Sequence, residues 1–245
     1  MGKYALSLLL VIMMPLHSSA AEYEGDKRDP FESFNRVMWD FNYKVVDPVV
    51  RPVAHAYDDY VPQLVRNSVG SFTDNLKTPF STVNHLLRGQ PKSAGWQALR
   101  FTINSTVGIL GLFDVASDMG LPHFDEEEFG AVLFTYGVPN GPYLMLPFFG
   151  PTTVRHGLGS IVDGSYFPYT SMNFDQQLGY YVVDGIETRA SIRDQEGLLN
   201  NAFDSYSFVK EAFFQMQAHA LYYGEPPQND EESDDLSDYL DEIDF

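Results

Sequence analysis

The chain has 245 residues, 44% of them hydrophobic, which excludes disorder of the whole chain and leaves room for one large domain or two small ones. With no cysteine it forms no disulfide and offers no thiol chemistry, so its stability must come from packing. A formal net charge of −19 disfavours nucleic-acid binding, which rests largely on Lys and Arg neutralising phosphates; ten of the acids and no base fall in Glu225 to Phe245, so the rest carries −9 after subtracting them.

At the N-terminus, Lys3, the apolar "YALSLLLVIMMPL" and the small residues of "HSSAA" match a secretory signal, predicted over residues 1–21 with cleavage after Ala20 or Ala21. In "DPFESFNRVMWDFNYKVVDP", Asp29 can cap a helix, Pro30 suits its first position and Glu32 completes a capping box. Phe34, Val37, Met38, Phe41 and Val45 recur on one helical face, Trp39, Tyr43 and Val46 widen it, and Asp47-Pro48 is expected to end the helix. Gln63 to Leu87 reads as helical with an interruption near Lys77-Thr78-Pro79, and "RGQP" as a turn. The next helix starts near Pro91, with Trp96, Leu99, Ile103, Val107 and Leu110 on one side and Arg100 and Asn104 on another. "GILGLFDVASDMGLP" reads as a turn or a short helical hairpin.

Phe129 to Val154 contains no charged residue. It is long enough to cross a bilayer, for which about 20 apolar residues suffice, but Pro139, Pro142, Pro147 and Pro151 argue against one spanning helix. A buried core segment, or part of a folded body sunk in a membrane, fits instead. The chain is helical again from Asn173 through "DQQLGYYVVDGIETRASIRDQEGLL". A last helix begins at an Asp204 cap, with Phe208, Ala212, Met216 and Ala220 on one stripe. With no sustained period-two alternation and no repeat, the predicted fold class is all-α, a single domain over residues 22–224. Residues 225–245 form an acidic tail expected to be disordered in isolation, although Leu236, Tyr239, Leu240 and Ile243 recur at the spacing of a short docking helix.

Sites of chemistry are scarce. His17, His55, His85, His123, His156 and His219 are scattered without metal-ligand spacing, and "HFDEEEF" reads as a solvated acidic loop rather than a metal site. Ser160 and Ser165 stand in no nucleophile motif, and there is no phosphate-binding loop, so neither an enzyme nor a cofactor is expected. Arg189 and Arg193 share a helical face with Glu196 in reach of Arg193; a contact to a lipid phosphate is one reading, and a structural ion-pair cluster is favoured over it.

Five phrases in order, "DPFESFNRVMWDFNYKVVDPVVRPVAHAYDDYVP", "RNSVGSFTDNLKTPFSTVNHLLRGQP", "RFTINSTVGILGLFDVA", "FGAVLFTYGVPNGPYLMLPFFGPTTVR" and "DGIETRA", resemble the MlaA (VacJ) family. The resemblance implies a ring-like helical domain embedded in the outer membrane, with an amphipathic channel through which phospholipid leaves the outer leaflet toward the periplasm. It implies association with a trimeric porin and delivery to a soluble periplasmic lipid carrier (MlaC-like). On it, Phe41 and Asn42 are expected to border the lipid path, and Leu144, Leu146, Phe148 and Phe149 to line that path or face the membrane. One departure stands out: family members commonly carry a lipidated cysteine at the signal cleavage site, and this sequence has none. An unlipidated mature chain starting near Ala21 or Glu22, still held by the outer membrane on its periplasmic side, is therefore expected. The alternatives are a structural porin adaptor and a periplasmic lipid hydrolase.

Overall fold

The computed structural model describes residues 26–166 and 168–223. The predicted signal peptide, residues 1–21, and the acidic tail, residues 225–245, lie outside them. The first helix, α1, runs from Glu32 to Phe41. Asp29 does not cap it: the capping position is Phe31, without a side-chain bond. The Asp29 carboxylate is drawn inward to accept from Asn35 Nδ2 at 2.7 Å and from the Tyr206 hydroxyl, while Glu32 pairs with Arg36 at 2.7 Å. Nor does Asp47-Pro48 end the helix. A π-helical turn, Asn42–Val46, carries the chain straight into α2, Asp47–Tyr60. The wide turn resets the hydrogen-bond ladder, so Pro48 falls in the first turn of α2, where its missing N–H is harmless.

Helix α3 spans Gln63–Leu87 unbroken through Pro79, which forfeits the one ladder bond to the Asn75 carbonyl; no interruption occurs near Lys77. A turn at Arg88-Gly89 leads to α4, Pro91–Thr106, packed along α3. The chain then loops through Gly111 (φ +93°), where a Cβ would come within 2.4 Å of the Asn75 side chain, into the short α5, Val115–Asp118. The uncharged stretch is divided into α6, Phe129–Thr135, and an antiparallel hairpin of β1, Tyr143–Leu146, with β2, Gly150–Thr153, in the register Tyr143↔Thr153. This hairpin is an addition to the expected all-helical fold. Helix α7, Val154–Asp163, packs on α6 at a crossing where Gly159 lies so close to Gly130 that a Cβ would sit 2.3 Å from its backbone nitrogen.

Asn173 caps α8, Phe174–Ser191, in a full capping box. The expected continuation through "IRDQEGLL" breaks at Ile192 into a 3-10 turn and α9, Glu196–Asn201. The last helix, α10, Ser205–Leu221, starts at Asp204 as predicted, its carboxylate accepting from the backbone N–H of Tyr206 and Ser207. Helix α10 returns to α1: Arg36 bonds Asp204 at 2.7 and 3.1 Å, Trp39 Nε1 donates to Ser205 Oγ at 3.1 Å, and Arg28 bonds Glu211 at 2.7 Å. The two ends of the described chain thus meet and close it.

The distribution of polarity is inverted with respect to a water-soluble helical protein. The face of α4 turned inward is Ala94, Gln97, Arg100 and Asn104, while Leu99, Val107 and Leu110 of the predicted apolar face are exposed. The α3 positions that are buried include Thr73, Asn75, Ser81, Asn84 and His85. Phe34, Val37, Val45, Val49 and Val53, the apolar stripe of α1 and α2, stand outside, as do Phe208 and Met216 of α10. The tight apolar core is small: Tyr143, Met145 and Tyr206, with Met38, Trp39, Val209, Phe213 and Phe214 against them. Apolar stripes this extensive, turned outward over polar interiors, mark a surface that meets lipid or protein. Among the described residues no helix is long and apolar enough to cross a membrane.

Much of the polar interior is hydrogen-bonded, although Asn75 Oδ1, Asn84 Oδ1 and His85 Nε2 find no partner among the described residues. Arg100 donates to Asp114 (2.8 and 3.0 Å), Ser117 and the Leu121 carbonyl, and Asn104 joins it by donating to Asp114 and accepting from the Ala116 N–H. Each of these groups would be costly if left unpaired, so the network specifies one arrangement of α4 against the α5 loop.

Candidate functional site

The free edge of β1 is clamped by two asparagines seven residues apart in "FNRVMWDFN". Asn35, fully buried, donates from Nδ2 to the Tyr143 carbonyl at 3.0 Å and accepts from the Met145 N–H at 2.9 Å. One step out, Asn42 donates to the Leu146 carbonyl at 2.8 Å and accepts from the Phe148 N–H at 2.8 Å. Each side-chain amide mimics a peptide of a third strand and satisfies an edge that would otherwise be open. Seven residues make about two helical turns, so both amides reach the same strand. Asn42 begins the π turn, and Phe41 packs edge-on against Phe148, ring centroids 5.3 Å apart.

The predicted residues Phe41, Asn42, Leu146 and Phe148 are therefore brought together at the hairpin end. Phe148 (φ +69°) and Phe149 project from it, 70% and 81% exposed. Leu144 and Leu146 are half-buried, alternating with the buried Tyr143 and Met145. Arg189 and Arg193 lie elsewhere. Arg189 bonds Asp47 at 2.8 Å and Glu196 at 2.7 Å; Arg193 bonds Asp58 at 2.8 Å and Asp59 at 2.6 Å. Glu196 serves Arg189 and His55 rather than Arg193. Both guanidinium groups thus have carboxylate partners within the chain, the ion-pair arrangement favoured over a phosphate contact.

"HFDEEEF" is an exposed acidic loop at Asp125, Glu126 and Glu128, as expected, but Glu127 turns inward and the glutamates are paired. Its three glutamates diverge to different basic side chains: Glu126 to Lys77 at 3.6 Å, Glu127 to Arg88 and His85, Glu128 to His156 at 3.1 Å. Glu127 is buried, held also by its backbone N–H on Ser81 Oγ. Glu126 remains open to water, yet protein encloses it on most sides, and this desolvation pushes its pKa up to about 7 despite Lys77. A carboxyl whose folded pKa exceeds its ordinary value binds more protons in the native state, so its contribution is lost as pH rises. Stability is expected to fall between pH 4.5 and about 7, and Glu126→Gln to flatten that part of the profile, as thermal unfolding across this window will show. Among the described residues no group of three metal-ligating side chains is assembled.

Helices α2, α3 and α8 line an open polar groove of about 640 Å³, whose wall includes the charged side chains of Asp58, Arg66, Asp74, Lys77, Asp184 and Glu187. Sequence reasoning named none of these as a site residue, nor Asn35 or Arg88. The spacing of the two Phe-Asn pairs was the one available signal for the clamp.

Residues 27–220 match the family model described as "MlaA lipoprotein". The chain is 39% identical over 244 residues to the intermembrane phospholipid transport system lipoprotein MlaA of Escherichia coli (strain K12), covering 98% of this chain and 97% of that protein. It is 34% identical over 224 residues to the protein of the same name from Haemophilus influenzae, covering 90% and 89%. A chain solved in work on the structural basis for maintenance of bacterial outer membrane lipid asymmetry superposes with a TM-score of 0.74 at 43% identity, covering 79% of this chain and 98% of that one. Matched over nearly its whole described length in sequence and in fold, this chain belongs to the MlaA family.

Proposed function

We propose that this protein carries out intermembrane phospholipid transport. It removes mislocalised phospholipid from the outer leaflet of the outer membrane through an amphipathic path and passes it to a soluble periplasmic lipid carrier, so maintaining lipid asymmetry. The observation that carries this reading is the inversion of polarity: apolar stripes outside suit a body seated in lipid, and a polar interior with an open groove walled by charged side chains suits passage of a headgroup. Association with a trimeric porin fits the same apolar exterior. A pure adaptor would need the exterior but not the groove.

The hydrolase reading finds its nearest geometry in Thr152, whose hydroxyl lies 2.9 Å from His156 Nδ1 while His156 Nε2 meets Glu128. Thr152 is only 7% exposed, so its oxygen is not offered to a substrate, and a nucleophile must reach its target.

In this mechanism the clamp at Asn42 sets where the hairpin end sits, and Phe148 and Phe149 meet lipid at the entrance. Phe148→Ser is expected to leave the fold intact and to slow the clearance of outer-leaflet phospholipid, with a fluorophore at residue 149 quenched by lipid-borne probes. Normal clearance, or a reporter that no lipid probe reaches, would remove the hairpin from the lipid path.

A further inference from the structure

Arg155 is a buried cation that no acid answers among the described residues. It is 5% exposed, in the first turn of α7 where that helix packs on α6. Of the five N–H donors of a guanidinium, one is used within the described residues, from Nη1 to the Val138 carbonyl at 2.9 Å. The Phe134 ring lies 5.1 Å from the guanidinium carbon. Arg100 and Lys210 are buried too, and each has its carboxylate, Asp114 at 2.8 Å and Asp26 at 3.1 Å. A buried charge without a counter-ion is costly, and burial pushes the Arg155 pKa below the ordinary guanidinium value. The end of the described chain lies beside this charge. Tyr222 packs edge-on against the same Phe134 ring, centroids 5.3 Å apart, and Tyr223 lies under the Arg88 guanidinium at 4.5 Å. Arg88 is already taken by Glu127. Tyr223 holds φ +55°, the left-handed turn that usually falls to a glycine after a helix, and it directs the chain off the axis of α10. Glu225 follows two residues later, the first of ten acids that run to Phe245 without a base.

We propose that the Glu225 carboxylate is the counter-ion of Arg155, so that the root of the acidic tail docks on the body beside Phe134 instead of swinging free. The reach is sufficient. Glu225 lies three residues past Tyr222, a span of up to about 10 Å, and Tyr222 and Arg155 share one aromatic ring. The unused donors of Arg155 suit a carboxylate, which a guanidinium can hold by two parallel bonds. A free anion from solution would have to find a position only 5% exposed, whereas an acid on the adjoining chain is delivered at high effective concentration. Docking at Glu225 also gives the other nine acids a fixed origin at the α6–α10 edge, with Pro226-Pro227 holding the first step of the tail extended. The inference stands apart from the transport reading.

The test uses the full chain in detergent, with a nitroxide attached through Gln228→Cys or, as the reference, through Ser237→Cys; the chain has no cysteine of its own to compete. Electron paramagnetic resonance reads the motion of each label. The label at 228 is expected to tumble several-fold more slowly than the one at 237. Glu225→Gln and Arg155→Met are each expected to bring the two labels to the same fast rate, while Glu231→Gln with Glu232→Gln leaves the label at 228 slow. Glu225→Gln lies outside the packed body and decides the matter even where Arg155→Met lowers the helical content seen by circular dichroism. A label at 228 as mobile as the one at 237 before any further change, or one that stays slow in Glu225→Gln, overturns the proposal. So does a rise in the melting temperature of the full chain with inorganic phosphate that Arg155→Met abolishes, which would make Arg155 a site for an outside anion.

Discussion

Replacing Arg88 by methionine is expected to lower stability by about 3 to 5 kcal/mol, the cost of removing one partner of a buried ion pair. Arg88 is a side chain of 4% exposure at the end of α3. It bonds Glu127, the Thr135 hydroxyl of α6 at 3.1 Å and the Leu221 carbonyl at the end of α10 at 2.9 Å, and its guanidinium lies 4.5 Å over the Tyr223 ring. The substitution leaves Glu127 enclosed with only His85 at 3.7 Å. Burial already holds the Glu127 pKa above its ordinary value with Arg88 present, and removing the guanidinium is expected to push it further up. The melting temperature is expected to fall by roughly 6 to 20 °C, measured by circular dichroism in detergent. Adding Glu127→Met should recover much of the loss, because an apolar pair of similar volume leaves no charge stranded. A double variant no more stable than the single one would show that Arg88 acts through Thr135 and Leu221 instead.

Asn35→Ala is the second large effect, about 3 kcal/mol or roughly 6 to 12 °C. It deletes three bonds at a fully buried position and strands the Tyr143 carbonyl and the Met145 N–H where no water can replace the amide. Asn42→Ala removes an analogous pair of bonds at the exposed hairpin end, where solvent can reach Phe148 N–H. There the expected cost is about 1 kcal/mol, and the consequence falls on function: the hairpin end is released, and lipid clearance changes while the fold persists. The two substitutions separate the structural half of the clamp from the half at the proposed lipid path. Equal destabilisation by both would mean that the hairpin folds as one rigid unit with α1.

Much of the helical framework was legible because its signals are local. Gln63–Leu87 begins after Pro62 and ends before a glycine turn, Asn173 and Asp204 each cap the helix they precede, and Pro91 opens α4. Local rules failed where distant groups overrode them. Asp29 is a good capping residue, yet its carboxylate is claimed by Tyr206 and Asn35. Asp47 precedes a proline and still holds helical angles, φ −60° and ψ −39°, because the π turn before it absorbs the strain. The hairpin gave too short a signal: four-residue strands interrupted by prolines, with an edge completed by side chains more than a hundred residues away.

Periodicity located the faces of the helices but not their direction. An apolar stripe at helical spacing looks the same whether it turns toward a core or toward lipid, since the spacing records only that one side differs from the other. Leu99, Val107 and Val45 were correctly placed on apolar faces, and only the packing of α4 on α3 and of α10 on α1 decided that those faces lie outside. The residues that then had to be inside, Arg100, Asn104, Asn84, Arg88 and Glu127, are polar. Burying them is tolerable only when each finds a partner, and those partners come from other segments, Asp114 in the next loop for Arg100 and Asn104, and the stretch around Glu127 about forty residues on for Asn84 and Arg88. Composition and local pattern were enough for a cysteine-free, acidic, mainly helical chain. Which faces turn outward, and which partner each buried polar group finds, depends on contacts between separate segments and is set by the tertiary structure alone.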